Sequence, residues 1–187
     1  MKTRLDQFDA SVRLERGRPK VIEITWYLLK CFFFLTPLPW PSAIKAHILR
    51  AFGAKVGHGV VIKPRVNIHF PWKLELGDHV WIGEEVFILN FEPVTIASHC
   101  CLSQRAFLCA GNHDFRDVSF RYRNAPIALG RGAWIGAQAF VAPGTKVGEE
   151  TVVAAGAIVS GGLDPNAIYS GNPAKVVGQR WPQPESS

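Results

Sequence analysis

One short segment of the chain holds residue types that could move a proton to or from a substrate. Asn112-His113-Asp114 opens a stretch rich in aromatic and arginine side chains. Histidine has a reference pKa of about 6.5, so an imidazole placed beside a hydroxyl can take its proton near neutral pH. His113 is therefore the candidate general base. The alternative is a loop histidine that is hydrogen-bonded to Asp114.

The cysteines do not indicate a disulfide-built fold. Four in 187 residues are few, and their positions, 31, 100, 101 and 109, form no CxxC pair. We expect reduced thiols and a cytoplasmic protein. No apolar run reaches the roughly 20 residues needed to span a bilayer, and the first residues do not resemble a secretory signal.

A six-residue repeat predicts the scaffold that positions His113. On two of the three faces, the residues four places after the aliphatic positions are small or β-branched. A period of six fits a short strand plus a corner, and it does not fit a helix. Three units make one triangular coil, and stacked coils bury continuous aliphatic ladders. An ordinary sandwich of short strands is the alternative. The aliphatic positions are Val56, Ile62, Ile68, Leu76, Ile82, Ile88, Ile96, Leu102, Leu108, Leu129, Ile135, Val141, Val147, Val153 and Val159.

Several motifs carry a family resemblance. The motifs Leu76-Gly77-Asp78, Ile82-Gly83-Glu84 and Trp134-Ile135-Gly136, with the stretch 170–176, are similar to those of the hexapeptide-repeat acyltransferases. Within them, the sequence most resembles the maltose, galactoside and nodulation-sugar O-acetyltransferases and the acetyltransferases of colanic acid and other exopolysaccharide pathways. The resemblance implies an all-β fold, a left-handed parallel β-helix of about five triangular coils with an N-terminal helical segment. It also implies a homotrimer.

The pattern divides the chain into four segments. We expect a basic arm at 1–20, an apolar helical segment at 21–53, the β-helix at 54–165 with an inserted loop at 111–126, and a C-terminal tail at 166–187. Residues 1–55 hold ten Lys/Arg and four Asp/Glu, whereas the rest of the chain holds eleven of each. Because the net charge of +6 lies outside the repeat domain, we expect no nucleic-acid partner.

The resemblance implies transfer of acetyl from acetyl-CoA to a sugar hydroxyl, in exopolysaccharide or other surface polysaccharide biosynthesis. His113 matches the family's base. The candidate acceptor contacts are Asn90, Asn112, Asp114 and Arg121. The family commonly has Asp where this chain has Asn90, and a corner residue is the alternative for that position. The rival functions are an N-acetyltransferase acting on an amino-sugar nucleotide and a non-catalytic β-helix scaffold.

The last coils are expected to bind acetyl-CoA as co-substrate. Their small residues leave room for a long thin ligand, although core or corner packing explains each alanine equally well. The chain departs from the family at Ser160-Gly161 and at Gly178, where cations are common, so fewer charges face the donor phosphate. The candidate donor contacts are Trp134, Gly136, Ala137, Ala155, Ser160, Lys175 and Arg180.

The remaining histidines do not predict a metal site. His79 and His99 are twenty positions apart and should stack on adjacent coils. The carbonic anhydrases that share this fold use a pair of histidines five positions apart, and no such pair occurs here. We therefore expect no metal.

The N-terminal segment allows two interpretations. The run from Val21 to Trp40 is strongly apolar, and Ser42–Phe52 reads as a short helix with Ser42 as its cap. The segment covers the open end of the solenoid, lies on the inner face of the membrane with the basic arm on anionic lipid, or does both. The second interpretation suits a lipid-linked saccharide acceptor and peripheral membrane contact through residues 1–52.

Overall fold

The chain folds into a left-handed parallel β-helix preceded by two helices. The structure is a computed structural model that describes residues 2–12 and 14–182. Helix α1 spans Lys20–Phe33 and α2 spans Ser42–Ala51, with 3-10 turns at Leu5–Gln7 and Pro71–Lys73. The described residues do not include positions 1 and 13 of the predicted arm or positions 183–187 of the predicted tail.

Three sheets form the faces of the prism. Sheet 1 contains β1 (Lys55–Val56), β4 (Leu74–Leu76), β7 (Val94–Ile96), β10 (Ile127–Leu129), β13 (Lys146–Val147) and β16 (Gly162–Leu163). Sheet 2 contains β2 (Val61–Ile62), β5 (Trp81–Ile82), β8 (Cys101–Leu102), β11 (Trp134–Ile135), β14 (Val152–Val153), β17 (Ala167–Gly171) and β18 (Ala174–Gln179). Sheet 3 contains β3 (Asn67–Ile68), β6 (Phe87–Leu89), β9 (Phe107–Cys109), β12 (Phe140–Val141) and β15 (Ile158–Val159).

The solenoid is one turn longer than the sequence predicted. Sheet 1 has six strands, so the chain makes about six coils rather than five. The additional turn begins at β16 and continues into β17, which pairs in parallel with β14. The repeat count missed it because its third side is not completed: β18 turns back antiparallel to β17 and ends the sheet. The predicted tail is therefore largely a hairpin.

The predicted aliphatic ladder is the core. Fourteen of the fifteen repeat positions are buried, and Val56, at the first coil, packs against them half-buried. The second column is buried as well, from Val60 and Val66 to Thr151 and Ala157. Each coil therefore shields the apolar surface of the next one, which is how a short six-residue unit becomes stable.

The second position of the repeat is often glycine, but these glycines do not supply the left-handed backbone of the corners. That conformation falls two residues later, on Glu85 (φ 60°) and Gln138 (φ 58°) among others. A Cβ on Gly136 would lie 2.5 Å from the Ala155 nitrogen, and one on Gly77 would lie 2.5 Å from the Ser98 nitrogen. Glycine is needed there because successive coils approach closely.

The helical segment covers the open end of the first coil. Alternate residues of a parallel ladder direct their N–H and C=O groups to opposite neighbours, so the first coil leaves such groups unpaired. The main-chain groups of Ile62 are bonded by the helices instead: its N–H donates to Ser42 Oγ (2.9 Å), and its carbonyl accepts from the buried Lys45 ammonium (3.2 Å). Trp26 Nε1 donates to the Ile68 carbonyl (3.2 Å), and Arg50 Nη2 donates to the Val56 carbonyl (2.8 Å).

This geometry corrects the role predicted for Ser42. Ser42 is the first residue of α2, Pro41 is the cap, and the Ser42 hydroxyl bonds the strand rather than the helix. Trp26 and Leu49 belong to the same buried cluster as the ladder. The covering role of the segment is therefore present in the structure. Neither α1, with 14 residues, nor α2, with 10, has the length of a membrane-spanning helix, and the rest of the described chain offers no other candidate.

Candidate active site

His113 lies on the edge of the prism between sheets 3 and 1, which we call the His113 edge. The residues that follow β3, β6, β9, β12 and β15 form this edge, and the loop 111–126 extends from it after β9. His113 Nδ1 lies 2.6 Å from the Phe120 carbonyl oxygen. A carbonyl only accepts, so Nδ1 carries the proton and Nε2 keeps its lone pair for a substrate. The ring is thus oriented by a main-chain carbonyl.

Phe120 holds that carbonyl in place through an uncommon backbone conformation. Its φ is 53°, in the left-handed region that non-glycine residues seldom adopt. The Phe120 ring also stacks on the imidazole, with 4.3 Å between centroids and 10° between planes. One residue therefore fixes both the tautomer and the plane of His113.

The N-terminal arm forms part of the same site, which the sequence did not predict. Phe8 makes edge contacts of 5.2 Å between centroids with both His113 and Tyr122. The Arg4 N–H donates to the Val118 carbonyl (2.8 Å), which attaches the arm to the loop. The His113 imidazole therefore has aromatic rings on several sides, from segments more than 100 residues apart in the chain.

Three of the predicted acceptor contacts shape the loop. Asn112 Oδ1 accepts from the His113 N–H (2.8 Å), and Asp114 Oδ1 accepts from the Arg116 N–H (3.1 Å). Arg121 forms an ion pair with Asp117. Hydrogen bonds from Ser119, together with Arg121, lower the pKa of Asp117 to about 2. The Arg121 charge is thus already paired within the loop.

Asn90 does not fit the acceptor role that the sequence predicted for it. The side chain is fully buried. Its Oδ1 accepts from the Phe70 N–H (2.9 Å), and its Nδ2 donates to the Phe70 carbonyl (2.5 Å). Because both ends of the amide clamp a neighbouring coil, the geometry favours the alternative, a structural corner residue.

Two of the expected donor contacts lie on a second edge of the prism. Ala137 and Ala155 occupy equivalent positions after β11 and β14, on the edge between sheets 2 and 3, which we call the Ala137 edge. The Ala137 carbonyl accepts from the Gly156 N–H (2.8 Å), so main chain forms this surface. A groove of about 230 Å³ reaches Ala137, and Trp134, 45% exposed, donates from Nε1 to Ser103 Oγ (2.9 Å).

The other donor candidates are dispersed. Ser160 follows β15 and is exposed on the His113 edge. Lys175 is exposed on the hairpin strand β18. Arg180 is engaged within the chain, with Nη1 2.6 Å from the Gly132 carbonyl oxygen and 3.2 Å from Glu150. A single chain therefore does not bring these cations together.

Burial disfavours a nucleophilic role for three of the cysteines, and the described histidines belong to no cluster of metal ligands. Burial raises the pKa of Cys100 to about 11, and it also raises the pKa of Cys101 and Cys109. His79 and His99 stack at 5.2 Å between centroids, as predicted. Across residues 2–12 and 14–182, no three side chains of His, Cys, Asp or Glu come together as metal ligands.

A left-handed β-helix with a carbonyl-oriented histidine beside an inserted loop defines the class of hexapeptide-repeat acyltransferases. Comparison with known sequences agrees. The chain is 36% identical over 179 residues, 94% of its length and 96% of the relative, to WcaF of Escherichia coli (strain K12), named as a colanic acid biosynthesis acetyltransferase. No family model matches. The chain belongs to the hexapeptide-repeat acetyltransferase family, in the group that the sequence motifs indicated.

Solved structures confirm the fold. The chain is similar to a hexapeptide-repeat acetyltransferase of Vibrio cholerae O1 biovar eltor complexed with acetyl-coenzyme A, with a TM-score of 0.78, 21% identity, and coverage of 87% of this chain and 89% of that one. A galactoside acetyltransferase in complex with coenzyme A gives a TM-score of 0.77, 21% identity, and coverage of 86% and 82%. The predicted enzyme class, an acetyltransferase with acetyl-CoA as donor, agrees with this placement.

Proposed function

We propose that the protein is an O-acetyltransferase that moves acetyl from acetyl-CoA to a sugar hydroxyl, with His113 as general base. The observation that carries the proposal is the 2.6 Å contact of Nδ1 with the Phe120 carbonyl. In the neutral imidazole this contact places the proton on Nδ1 and leaves the lone pair on Nε2, which is the tautomer that a base facing the acceptor requires. The family membership supports acetyl transfer, and the name of WcaF supports a polysaccharide acceptor.

The proposed step needs no covalent enzyme intermediate. His113 Nε2 takes the acceptor hydroxyl proton as the hydroxyl oxygen forms a bond to the thioester carbonyl carbon. When the tetrahedral intermediate collapses, the C–S bond breaks, and the imidazolium returns the proton to the thiolate of CoA. Gly136 N–H is used by the Val153 carbonyl (2.7 Å), so Ala137 N–H, the next one along the chain, is our candidate to stabilise the oxyanion.

The two edges support a homotrimer. His113 lies on one edge of the prism, and Ala137 and Ala155 lie on another. A donor on the Ala137 edge of one subunit can meet the His113 edge of a neighbour if subunits pack side by side around a threefold axis. Each site would then be incomplete without a second copy. Analytical ultracentrifugation should find a trimer; a monomer with full activity would contradict this arrangement.

We further propose a lipid-linked or surface-polysaccharide acceptor reached at the cytoplasmic face of the membrane. The outward side of α1 exposes apolar side chains, among them Val21 (65%), Ile24 (62%) and Leu28 (64%). Arg18 and Lys20 lie at the start of the helix and add positive charge beside this face. An apolar helix face with adjacent cations suits an anionic bilayer.

The membrane contact has a direct test. The protein should co-sediment with vesicles of phosphatidylglycerol and phosphatidylcholine, and Leu28→Glu should release it. Gln179→Glu, exposed on β18 at the opposite end of the solenoid, is the matched control for added negative charge. Equal release by both variants, or no sedimentation of the wild type, would contradict an apolar docking face.

The activity itself is tested with purified protein. Titration with acetyl-CoA in a calorimeter should show about one site per chain. A panel of sugars and amino-sugar nucleotides, analysed by mass spectrometry and NMR, should show acetyl on oxygen. Acetyl on nitrogen only would favour the amino-sugar alternative. Absence of donor binding would favour a non-catalytic scaffold.

A further inference from the structure

A cavity lies between α1 and the first coil, apart from the residues assigned to acetyl transfer. Its volume is about 300 Å³, at the lower end of the range for small-molecule sites, about 300–1,000 Å³. That size suits one ring of a larger ligand. It is lined by Glu23, Ile24, Trp26, Tyr27, Lys30, His69, Phe70 and Trp72.

Aromatic rings form much of the cavity wall. Phe70 and Trp72 stack at 5.0 Å between centroids, and Trp26 is only 2% exposed beneath them. Tyr27, in contrast, is 59% exposed, and the Lys30 ammonium lies 5.4 Å from its ring centroid. Flat apolar rings of this kind fit the C–H face of a pyranose, whose hydroxyls remain at the rim.

Polar groups with unused bonding capacity stand between the rings. Glu23 Oε2 pairs with Arg16 (2.7 Å), but Glu23 Oε1 is buried without a hydrogen-bond partner among the described residues. The buried Lys30 ammonium has three donors, and one of them reaches Asn67 Oδ1 (3.1 Å). Ligand hydroxyls that reached these groups would satisfy both of them, since a hydroxyl donates and accepts.

The charges of the cavity favour a neutral ligand. Burial, and then the cations Lys30 and Arg16, lower the pKa of His69 to about 4, so the imidazole is neutral at pH 7. The Glu23 carboxylate opposes an anion, and the Lys30 ammonium opposes a second cation. An alkyl chain would leave both charged groups without partners, at a cost in free energy.

Aromatic contacts connect the cavity with the catalytic histidine. His69 lies 4.9 Å from Phe91, Phe91 lies 5.8 Å from Tyr122, and Tyr122 lies 4.7 Å from His113, all between ring centroids. These rings follow the His113 edge across three successive coils. A saccharide chain can therefore extend along them from the base to the cavity.

We infer that this cavity is a second saccharide subsite, which binds a neutral sugar linked to the one that is acetylated. The inference rests on the proposed function and specifies its substrate class: an oligosaccharide or a saccharide repeat unit rather than a single sugar. Tyr27 and Trp72 would stack on the sugar, and Glu23, Lys30 and His69 would bind its hydroxyls.

Binding without turnover gives the first test. Saturation-transfer NMR with maltooligosaccharides and galacto-oligosaccharides of one to four units, in the absence of acetyl-CoA, should show tighter binding as the chain grows in at least one series. Tyr27→Ala should weaken trisaccharide binding about tenfold, and Glu23→Gln about fivefold. Phe32→Ala, equally exposed on α1 at 58%, is the matched control and should bind like the wild type.

Turnover gives the second test and separates this inference from the proposed function. The ratio of kcat/KM for trisaccharide over monosaccharide should fall about tenfold in Tyr27→Ala and stay constant in Phe32→Ala. A wild-type ratio near one, or no binding of either series, would overturn the subsite while acetyl transfer to monosaccharides stood. Trisaccharide binding that is lost in Tyr27→Ala, with no acetylated product, would retain the subsite and overturn the O-acetyltransferase proposal.

Discussion

The two edges that carry the candidate site are built in different ways. The Ala137 edge is made of repeating main chain, in which successive coils approach so closely that a Cβ on Gly136 would lie 2.5 Å from the Ala155 nitrogen. The His113 edge is made of side chains from distant segments, including Phe8, Phe120 and Tyr122. Under the proposed function, the regular Ala137 edge would hold the extended donor, and the irregular His113 edge would hold the base.

The largest effect is expected when the proposed base is removed from the His113 edge. His113→Ala should lower the rate of acetyl transfer by about 10²–10⁴, the usual contribution of a general base. The affinity for acetyl-CoA should persist, because the candidate donor contacts Ala137 and Ala155 lie on the other edge. Single-turnover kinetics and calorimetry on the same sample check both parts. Unchanged turnover would show that His113 is not the base.

The next effect tests whether the regular edge acts through its main chain. Gly136→Ala places a methyl group against the Ala155 nitrogen, so we expect about 2–3 kcal/mol of destabilisation and at least tenfold weaker acetyl-CoA binding. Gly130→Ala is the matched control, because its Cβ would lie 2.7 Å from the Glu149 nitrogen on a different edge.

Denaturant unfolding and calorimetry distinguish the two glycines. Both variants should lose similar stability, and only Gly136→Ala should lose donor affinity beyond the loss of folded protein. Ala155→Phe, which fills the surface without the backbone clash, covers the case in which Gly136→Ala fails to fold. If all three variants bind acetyl-CoA like the wild type, the donor does not lie on this edge.

The same contrast explains which features the sequence predicted. The ladder from Ile62 to Val159 could be predicted from the sequence because each coil repeats the same contacts with its neighbours. The orientation of His113 could not be predicted, because it depends on the left-handed backbone of Phe120 in a loop without periodicity. The docking of Phe8 was hidden for a related reason: no local pattern links the arm to a loop more than 100 residues away.

Asn90 shows a different kind of failure. The motif placed it correctly after β6 beside the His113 edge, but a motif does not show which neighbours use the side chain. The amide bonds both main-chain groups of Phe70, one coil away. Sequence position and chemical availability are separate properties, and only the packed structure gives the second.

An effect of intermediate size concerns the pH dependence of stability, which we expect to arise from His69 at the far end of the His113 edge. Because burial and the cations Lys30 and Arg16 lower the pKa of His69 to about 4, the unfolded chain binds a proton at higher pH than the folded one. The stability contributed by neutral His69 is therefore present above about pH 6.5 and lost as the pH falls toward 4. Glu23, on α1, faces the same cavity.

Replacing His69 should remove this pH dependence. His69→Phe retains an aromatic ring against Phe70 and Phe91. Between pH 6.5 and 4 its free energy of unfolding should fall less than that of the wild type, and the difference should be on the order of 2 kcal/mol. Urea unfolding at fixed protein concentration measures the difference. His47→Gln, an exposed histidine on α2, is the control and should follow the wild type. Parallel curves for all three proteins would refute a titration effect at His69.

The smallest effect asks whether the arm belongs to the irregular edge in function as well as in contact. Phe8 is half-buried against His113 and Tyr122, so Phe8→Ala opens one side of the base to water. We expect about a tenfold rise in KM for the acceptor, equivalent to one lost aromatic contact, with KM for acetyl-CoA unchanged. Leu5→Ala, 64% exposed in the same arm, is the control and should leave both values unchanged. If Leu5→Ala matched Phe8→Ala, the arm would act only by covering the loop. A rise in KM for acetyl-CoA instead would place Phe8 beside the donor, and the division of the two substrates between two edges would have to be abandoned.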